Sequence, residues 1–217
     1  MSTSFRHKAF PLSFVTTGKT LLLVGGGRLG EGRLATAILF DWARITFVAR
    51  DPTKDTRALA DGDERVTLHE RDVEETDVES ADLVIESTMD DALGRKLAAW
   101  CRPRRIPLNA MDKLAHCDIY YPAFILRGPL ILAIASSGET PALAATLRKV
   151  LEQKMGPGWC NAAMLLAETR RALPASPARM ELLKAIANDE RLLSLIAEND
   201  IEGMRHLIED ATRRMPD

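Results

Sequence analysis

Thr20–Val24 (TLLLV), Gly25–Gly30 (GGGRLG) and Ile45–Ala49 (ITFVA) are the stretches whose reading decides the fold. The first is a short apolar run, with Thr17-Gly18-Lys19 before it and three consecutive glycines after it. A run of that kind reads as a strand buried on both faces. From Leu29 to Phe40 apolar side chains recur at Leu34, Ala37, Ile38 and Phe40, the spacing of a helix lying on a sheet. The chain then returns to a β-branched strand at Ile45. Gly25, Gly27 and Gly30 match G-x-G-x-x-G. The pattern is unspecific alone, but between a strand and a helix it becomes a dinucleotide fingerprint. Gly25 permits the tight turn, Gly27 lets backbone approach a pyrophosphate, and Gly30 lets the helix pack closely on the strand. The free N–H groups and dipole of the helix start favour the anion. The loop therefore predicts a nicotinamide dinucleotide bound by the first half of the chain.

The end of the second strand carries Arg50 and Asp51. An acid at this place hydrogen-bonds ribose hydroxyls, and an arginine accepts a 2′-phosphate. Having both leaves NAD and NADP open on the residues.

Further along, Val66–His69, Leu83–Ile85 and Ile106–Asn109 read as strands, and Asp91–Cys101 as a helix ended by Arg102-Pro103-Arg104-Arg105. The acidic stretch Glu70–Asp82 reads as a solvated loop or helix face. The order is strand–helix–strand–strand–strand–helix–strand, which implies a mostly parallel α/β sheet with helices on both faces. The pattern then changes. Tyr120–Leu126 and Leu130–Ala135, joined by Arg127-Gly128-Pro129, predict an antiparallel hairpin. Thr140–Lys154 predicts a helix with Pro141 near its start, and the chain is helical by pattern from Trp159 onward. Domain boundaries are expected near 113 and 155, giving segments 1–113, 114–155 and 156–217.

The chain has 217 residues, 46% of them hydrophobic, enough for a domain of ordinary size and a smaller one. A net charge of -2 argues against a nucleic-acid partner held by bulk electrostatics. Three scattered cysteines, Cys101, Cys117 and Cys160, read as reduced thiols of a cytoplasmic protein. The opening MSTSFRHKAFPLSF lacks a basic stretch followed by an apolar one, so no signal peptide is expected, and no apolar run is long enough to span a membrane.

Several segments together resemble the N-terminal module of the siroheme synthases, that is, precorrin-2 dehydrogenase/sirohydrochlorin ferrochelatase. They are PLSFVTTGKTLLLVGGGRLGEGRLA, ITFVARD, IPLNAMD and, most specifically, YYPAFILRGPLILAIASSGETPALAATLRKVLE. The resemblance covers roughly residues 10–155. It implies a Rossmann domain, a small β-hairpin dimerisation region, a helical C-terminal domain and a homodimer. It implies oxidation of precorrin-2 to sirohydrochlorin with NAD, and in some members insertion of Fe²⁺. The family's NAD contacts fall on Arg28 and Leu29 in the glycine loop, on Arg50 and Asp51, and near Ser87 and Thr88. Its essential aspartate, in an Asn-x-x-Asp segment, falls on Asp112, and its active-site serine on Ser137. The chain departs from the family at four places. Gly30 replaces a commoner alanine, a change expected to be harmless to packing. Arg50 replaces small or proline residues, Glu86 puts a charge at the end of an apolar strand, and Glu139 stands where glycine is frequent.

The chemistry implied removes a hydride and a proton from a reduced tetrapyrrole, the cofactor accepting the hydride. Asp112 follows the fifth strand, at the carboxyl edge where such sheets bind ligands. Partly desolvated there, it is expected to accept the proton or to remove pyrrole protons during metal insertion. His116, four residues on, is a candidate transient Fe²⁺ contact, and no permanent metal site is expected. A polycarboxylate substrate asks for cations, and Lys113, Arg127, Arg148 and Lys149 are the candidates. Ser136 and Ser137 are expected to donate to its carboxylates or to cap the following helix. Two other readings share the glycine loop: a regulatory module that senses NAD(H) without reaction, and an oxidoreductase for another small substrate.

Overall fold

The computed structural model describes residues 9–214, and residues 1–8 of the opening stretch lie outside them. The chain divides into two compact units between Tyr121 and Pro122. In the first, β1 (Thr20–Val24), β2 (Arg44–Val48), β3 (Val66–His69), β4 (Leu83–Glu86) and β5 (Leu108–Ala110) form one sheet. Its order is β3-β2-β1-β4-β5, with every neighbouring pair parallel. The continuous apolar run of β1 has a plain reason. Leu22 and Val24 enter the core on one face with Val84, Leu97 and Leu108. Leu21 and Leu23 enter the core on the other with Leu34, Ile45 and Phe47. Helices α1 (Arg28–Ala37), α2 (Lys54–Asp61), α3 (Glu75–Glu79) and α4 (Asp91–Arg104) connect the strands.

Two of these connections differ from the sequence expectation. The link between β2 and β3 contains α2, whose sequence KDTRALAD buries only Thr56 and Ala60. It is specified by its cap, since the Thr53 side chain accepts from the Thr56 N–H at 3.0 Å. Within the acidic stretch, α3 buries Val78 alone. Helix α4 runs past Cys101 through Pro103 and stops at Arg105, which is left-handed at φ 57.

The first unit also continues beyond the boundary expected at 113. Asp118 N–H donates to Leu108 O at 2.8 Å and Asn109 Nδ2 donates to Ile119 O at 3.0 Å, which sews residues 118–119 to β5. In the second unit β6 (Ala123–Arg127) and β7 (Leu130–Ile134) pair antiparallel around a Gly128-Pro129 turn. Helices α5 (Pro141–Lys154), α6 (Pro157–Ala172), α7 (Pro177–Ala187), α8 (Glu190–Glu198) and α9 (Ile201–Arg213) follow. The hairpin and the helices belong to one unit, so the boundary expected at 155 lies inside it. Among the described residues no helix is long and apolar enough to cross a membrane.

Candidate functional site

The glycine loop leaves β1 at its carboxyl end. Gly25, at φ 117, turns the chain while its N–H donates to Val48 O at 3.0 Å. Gly30 is buried, and a Cβ there would overlap the Gly25 carbonyl oxygen. The exchange of the family's alanine for glycine is thus not merely harmless to packing, since this backbone leaves no room for a Cβ. Gly27 is the opposite case, since a Cβ there would meet nothing within 4 Å. It is exposed and stands as the N-cap of α1 with no side chain to cap it. The N–H groups of Arg28, Leu29 and Gly30 find no protein acceptor among the described residues. Open space, unpaired N–H donors and a helix start together fit a pyrophosphate.

Beyond the end of β2, Arg50 is exposed. Its Nε and Nη2 donate to the Asp72 carboxylate at 2.7–2.9 Å in the bidentate fork of a matched pair. Asp51 is exposed, and its carboxylate accepts no hydrogen bond among the described residues, although its charge acts on Arg57. The backbone of Asp51 closes on the loop, its oxygen lying 2.7 Å from where a Cβ of Gly26 would stand. Asp72 was not singled out from sequence, being one acid among many in a polar stretch.

After β4 come Glu86, Ser87 and Thr88. Ser87 is buried, its N–H and hydroxyl both donating to Val24 O at 2.9 and 3.0 Å. Glu86 is completely buried. One of its oxygens accepts from the Thr88 N–H at 2.5 Å and from the Thr88 hydroxyl, the other from Lys113 Nζ at 2.8 Å. Lys113 Nζ donates also to Thr88 O at 2.7 Å and Met111 O at 3.3 Å. All three ammonium protons are spent inside the protein, so Lys113 does not face a substrate. The sequence signal was available as the unexplained charge at Glu86, but not its partner.

Asp112 follows β5 in the left-handed region at φ 58. It is exposed rather than partly desolvated, and no group bonds its carboxylate among the described residues. His116 Nε2 lies 3.1 Å from Asp91 Oδ1, at the start of α4. Asp91 is held below the usual carboxylate range, first by Arg95 and then by His116. Cys117 donates its thiol proton to Ala110 O at 3.0 Å, and burial pushes its pKa up. No cluster of metal-ligating side chains occurs among the described residues.

In the second unit Ser137 is buried and left-handed at φ 52, followed by Gly138 at φ 78. The Ser136 hydroxyl accepts from the Thr140 N–H at 3.3 Å, but Thr140 is the N-cap of α5 and that helix has no side-chain cap, so neither serine caps it as expected. Arg127 is committed to the protein. It donates to Met155 O at 2.7 Å, Leu126 O at 2.8 Å and Glu152 O at 3.3 Å, closing the end of α5. Arg148 pairs with Glu152 one turn along the same helix, where the sequence reading expected it to be available to substrate.

A family model described as "Putative NAD(P)-binding" matches residues 12–123, more than half of the chain. The chain belongs to this family. The matched span holds the whole five-stranded sheet, the glycine loop, Arg50, Asp51 and Asp112. A siroheme synthase of Psychrobacter sp. is 33% identical over 161 residues, which is 74% of this chain and 33% of that protein. A siroheme synthase of Vesicomyosocius okutanii is 28% identical over 185 residues, 85% of this chain and 39% of that protein. The chain thus spans between a third and two-fifths of the length of these curated relatives. Among solved structures, a protein titled "SirC, precorrin-2 dehydrogenase" superposes with a TM-score of 0.73 at 22% identity, covering 94% of this chain and 100% of that one. This likeness establishes the fold, a five-stranded parallel sheet with a hairpin and a helical C-terminal region.

Proposed function

We propose that the protein oxidises precorrin-2 to sirohydrochlorin with NAD⁺, in the making of siroheme. The observation that carries the reading is the placement of Asp112. An exposed, unpaired carboxylate stands at the carboxyl edge of the sheet, just after β5, the strand next but one to β1 and its glycine loop. A module that only senses a dinucleotide has no need of it. The names of the siroheme synthase relatives and of the structural neighbour support the same chemistry.

The dinucleotide would lie on the N–H groups of Arg28, Leu29 and Gly30, over the open space at Gly27, with Asp51 toward its adenosine ribose. The pairing of Arg50 with Asp72 favours NAD over NADP, because it holds the nearby cation away from a 2′-phosphate. The bound nicotinamide supplies the hydride acceptor. Asp112 accepts the proton that leaves the tetrapyrrole with the hydride, so that substrate loses one of each. The same carboxylate serves to take pyrrole protons if Fe²⁺ is inserted, with iron as substrate and His116 as a passing contact. Ser136 and Ser137 of the second unit are proposed as substrate contacts by the family resemblance. The working form is a homodimer in the cytoplasm, in keeping with three free cysteines.

The deciding experiment is an anaerobic assay with precorrin-2 and NAD⁺, run with and without Fe²⁺. NADH should appear with sirohydrochlorin, and siroheme only if iron insertion is retained. Absence of NADH overturns the dehydrogenase. The Asp112→Ala variant should lose turnover, falling by at least about 100-fold as for a lost proton acceptor, while NADH affinity stays nearly unchanged. Near-normal rates would remove Asp112 from the mechanism.

A further inference from the structure

Glu86 and Lys113 form a closed network at the functional edge of the sheet. Glu86 is the last residue of β4 and is paired in register with Val24 of β1 and Ala110 of β5. Lys113 follows Asp112 directly, and its side chain is only 7% exposed. Between them they use every hydrogen-bonding group of Thr88: N–H and hydroxyl to Glu86, carbonyl to Lys113. Lys113 further holds its own turn through Met111 O, and Met111 N–H donates to Glu86 O at 3.1 Å.

Stability does not account for this arrangement. Taking two charges out of water costs about as much as their attraction returns, and an apolar pair of similar volume does as well or better. What an ion pair adds is a unique geometry, because each of its donors and acceptors must be met. Here those partners lie on two separate loops. One is Ser87-Thr88, packed against Gly25 so closely that a Cβ on that glycine would meet Ser87 Oγ at 2.9 Å and Thr88 Cγ2 at 3.0 Å. The other is Met111–Lys113, which carries Asp112 in its left-handed conformation.

We propose that the buried Glu86–Lys113 pair is a positioning device that fixes the Asp112 loop relative to the dinucleotide loop. Resting on the catalytic reading of Asp112, it assigns Lys113 and Glu86 a role in turnover although neither touches substrate. The pair sets the height and direction of the aspartate, and Thr88 is the joint through which the two loops are locked.

The test uses the full chain with the charge-free double variant Glu86→Gln/Lys113→Met, which avoids leaving one buried charge unpaired, and Lys113→Arg as the conservative comparison. Misplacement of a reacting group by about 1 Å costs up to about 100-fold. The double variant should therefore lose about 10- to 100-fold in kcat, with NADH affinity within about threefold of wild type and partial recovery in Lys113→Arg. Placed in an Asp112→Ala background it should cost nothing further, because groups acting through one another are not additive. Hydrogen exchange provides an arm without substrate: the Met111 and Lys113 amides should exchange faster in the double variant, while those of Leu21–Leu23 do not change. An unchanged kcat, an undiminished loss in the Asp112→Ala background, or unchanged exchange at 111–113 would each overturn the proposal. If wild-type protein failed to oxidise precorrin-2, only the functional reading would fall, and the exchange arm would still decide whether the pair fixes the loop.

Discussion

Beyond the end of β2 the guanidinium of Arg50 meets Asp72 through three hydrogen bonds, yet both side chains are more than two-thirds exposed. An exposed pair of this kind contributes at most about 1 kcal/mol, or roughly fivefold in an equilibrium. Releasing Arg50 by Asp72→Ala should therefore tighten NADPH binding by up to about fivefold and leave NADH nearly unchanged. Fluorescence titration with each nucleotide measures this, and an unmoved NADPH affinity would free Asp72 of any part in the choice. Two glycines of the loop separate in the same way. Gly27→Asp places a carboxylate in open space where the pyrophosphate belongs, so it should abolish dinucleotide binding while the melting temperature holds. Gly30→Ala drives a methyl into the Gly25 carbonyl, so it should lower the melting temperature itself; the opposite pattern in the two melts would refute the loop geometry. The glycines were legible in sequence because each acts on its own backbone and immediate neighbours. Lys113 was not. Its role is set by Glu86, 27 positions away and on the adjoining strand, and a cation beside a candidate catalytic residue reads as a substrate contact when its partner is invisible.

Helix α1 shows what single elements ask of their surroundings. Its carboxyl end is closed by Arg65, which donates to Phe40 O at 2.8 Å and Ile38 O at 2.9 Å. Arg65 is itself held by Asp63, whose pKa its guanidinium lowers to about 2 through direct hydrogen bonding. A carboxylate normally near pH 3.9 that is depressed on folding adds stability above its unfolded pKa. That stability is lost as pH falls through the folded value, so the window lies between about pH 4 and pH 2. Asp63→Asn should flatten the fall in stability across this window, read from urea unfolding at a series of pH values. An unchanged slope would mean that the Asp63–Arg65 link does not hold in solution. At this scale the sequence was legible wherever burial wrote a period. β1, β2 and β3 are found within a residue of their expected positions because all but Arg44 and His69 at their ends are apolar or β-branched. The α2 segment was passed over because it buries only Thr56 and Ala60 on one side and depends on a threonine cap, a signal far weaker than an apolar stripe.

For the molecule as a whole, the alternation of strand and helix was enough to give the parallel sheet, but not the division of the chain. The expected cuts at 113 and 155 followed changes of pattern. The contacts that join segments are long-range ones: Asp118 to Leu108 in the first unit, and Arg127 to Met155 in the second. Those links come from side chains and loop backbone, which carry no periodicity. The second unit leaves an apolar row on α5 uncovered. Leu143, Leu147 and Val150, spaced four and three residues apart on one face, are 65%, 44% and 45% exposed. Leu130 and Ile131 of β7, in the same unit, are 40% and 52% exposed. Covering such side chains is worth about 1.5–3 kcal/mol each when burial is complete, and a second copy of this chain is the partner that the proposed homodimer provides. Leu143→Glu/Leu147→Glu keeps a helix-favouring residue at each position, so α5 itself should persist while the pairing is lost. Sedimentation equilibrium should then find the wild type at twice the chain mass of 24.0 kDa and the variant at the chain mass. A variant that remains dimeric would move the contact off α5, and a monomeric wild type would remove the dimer.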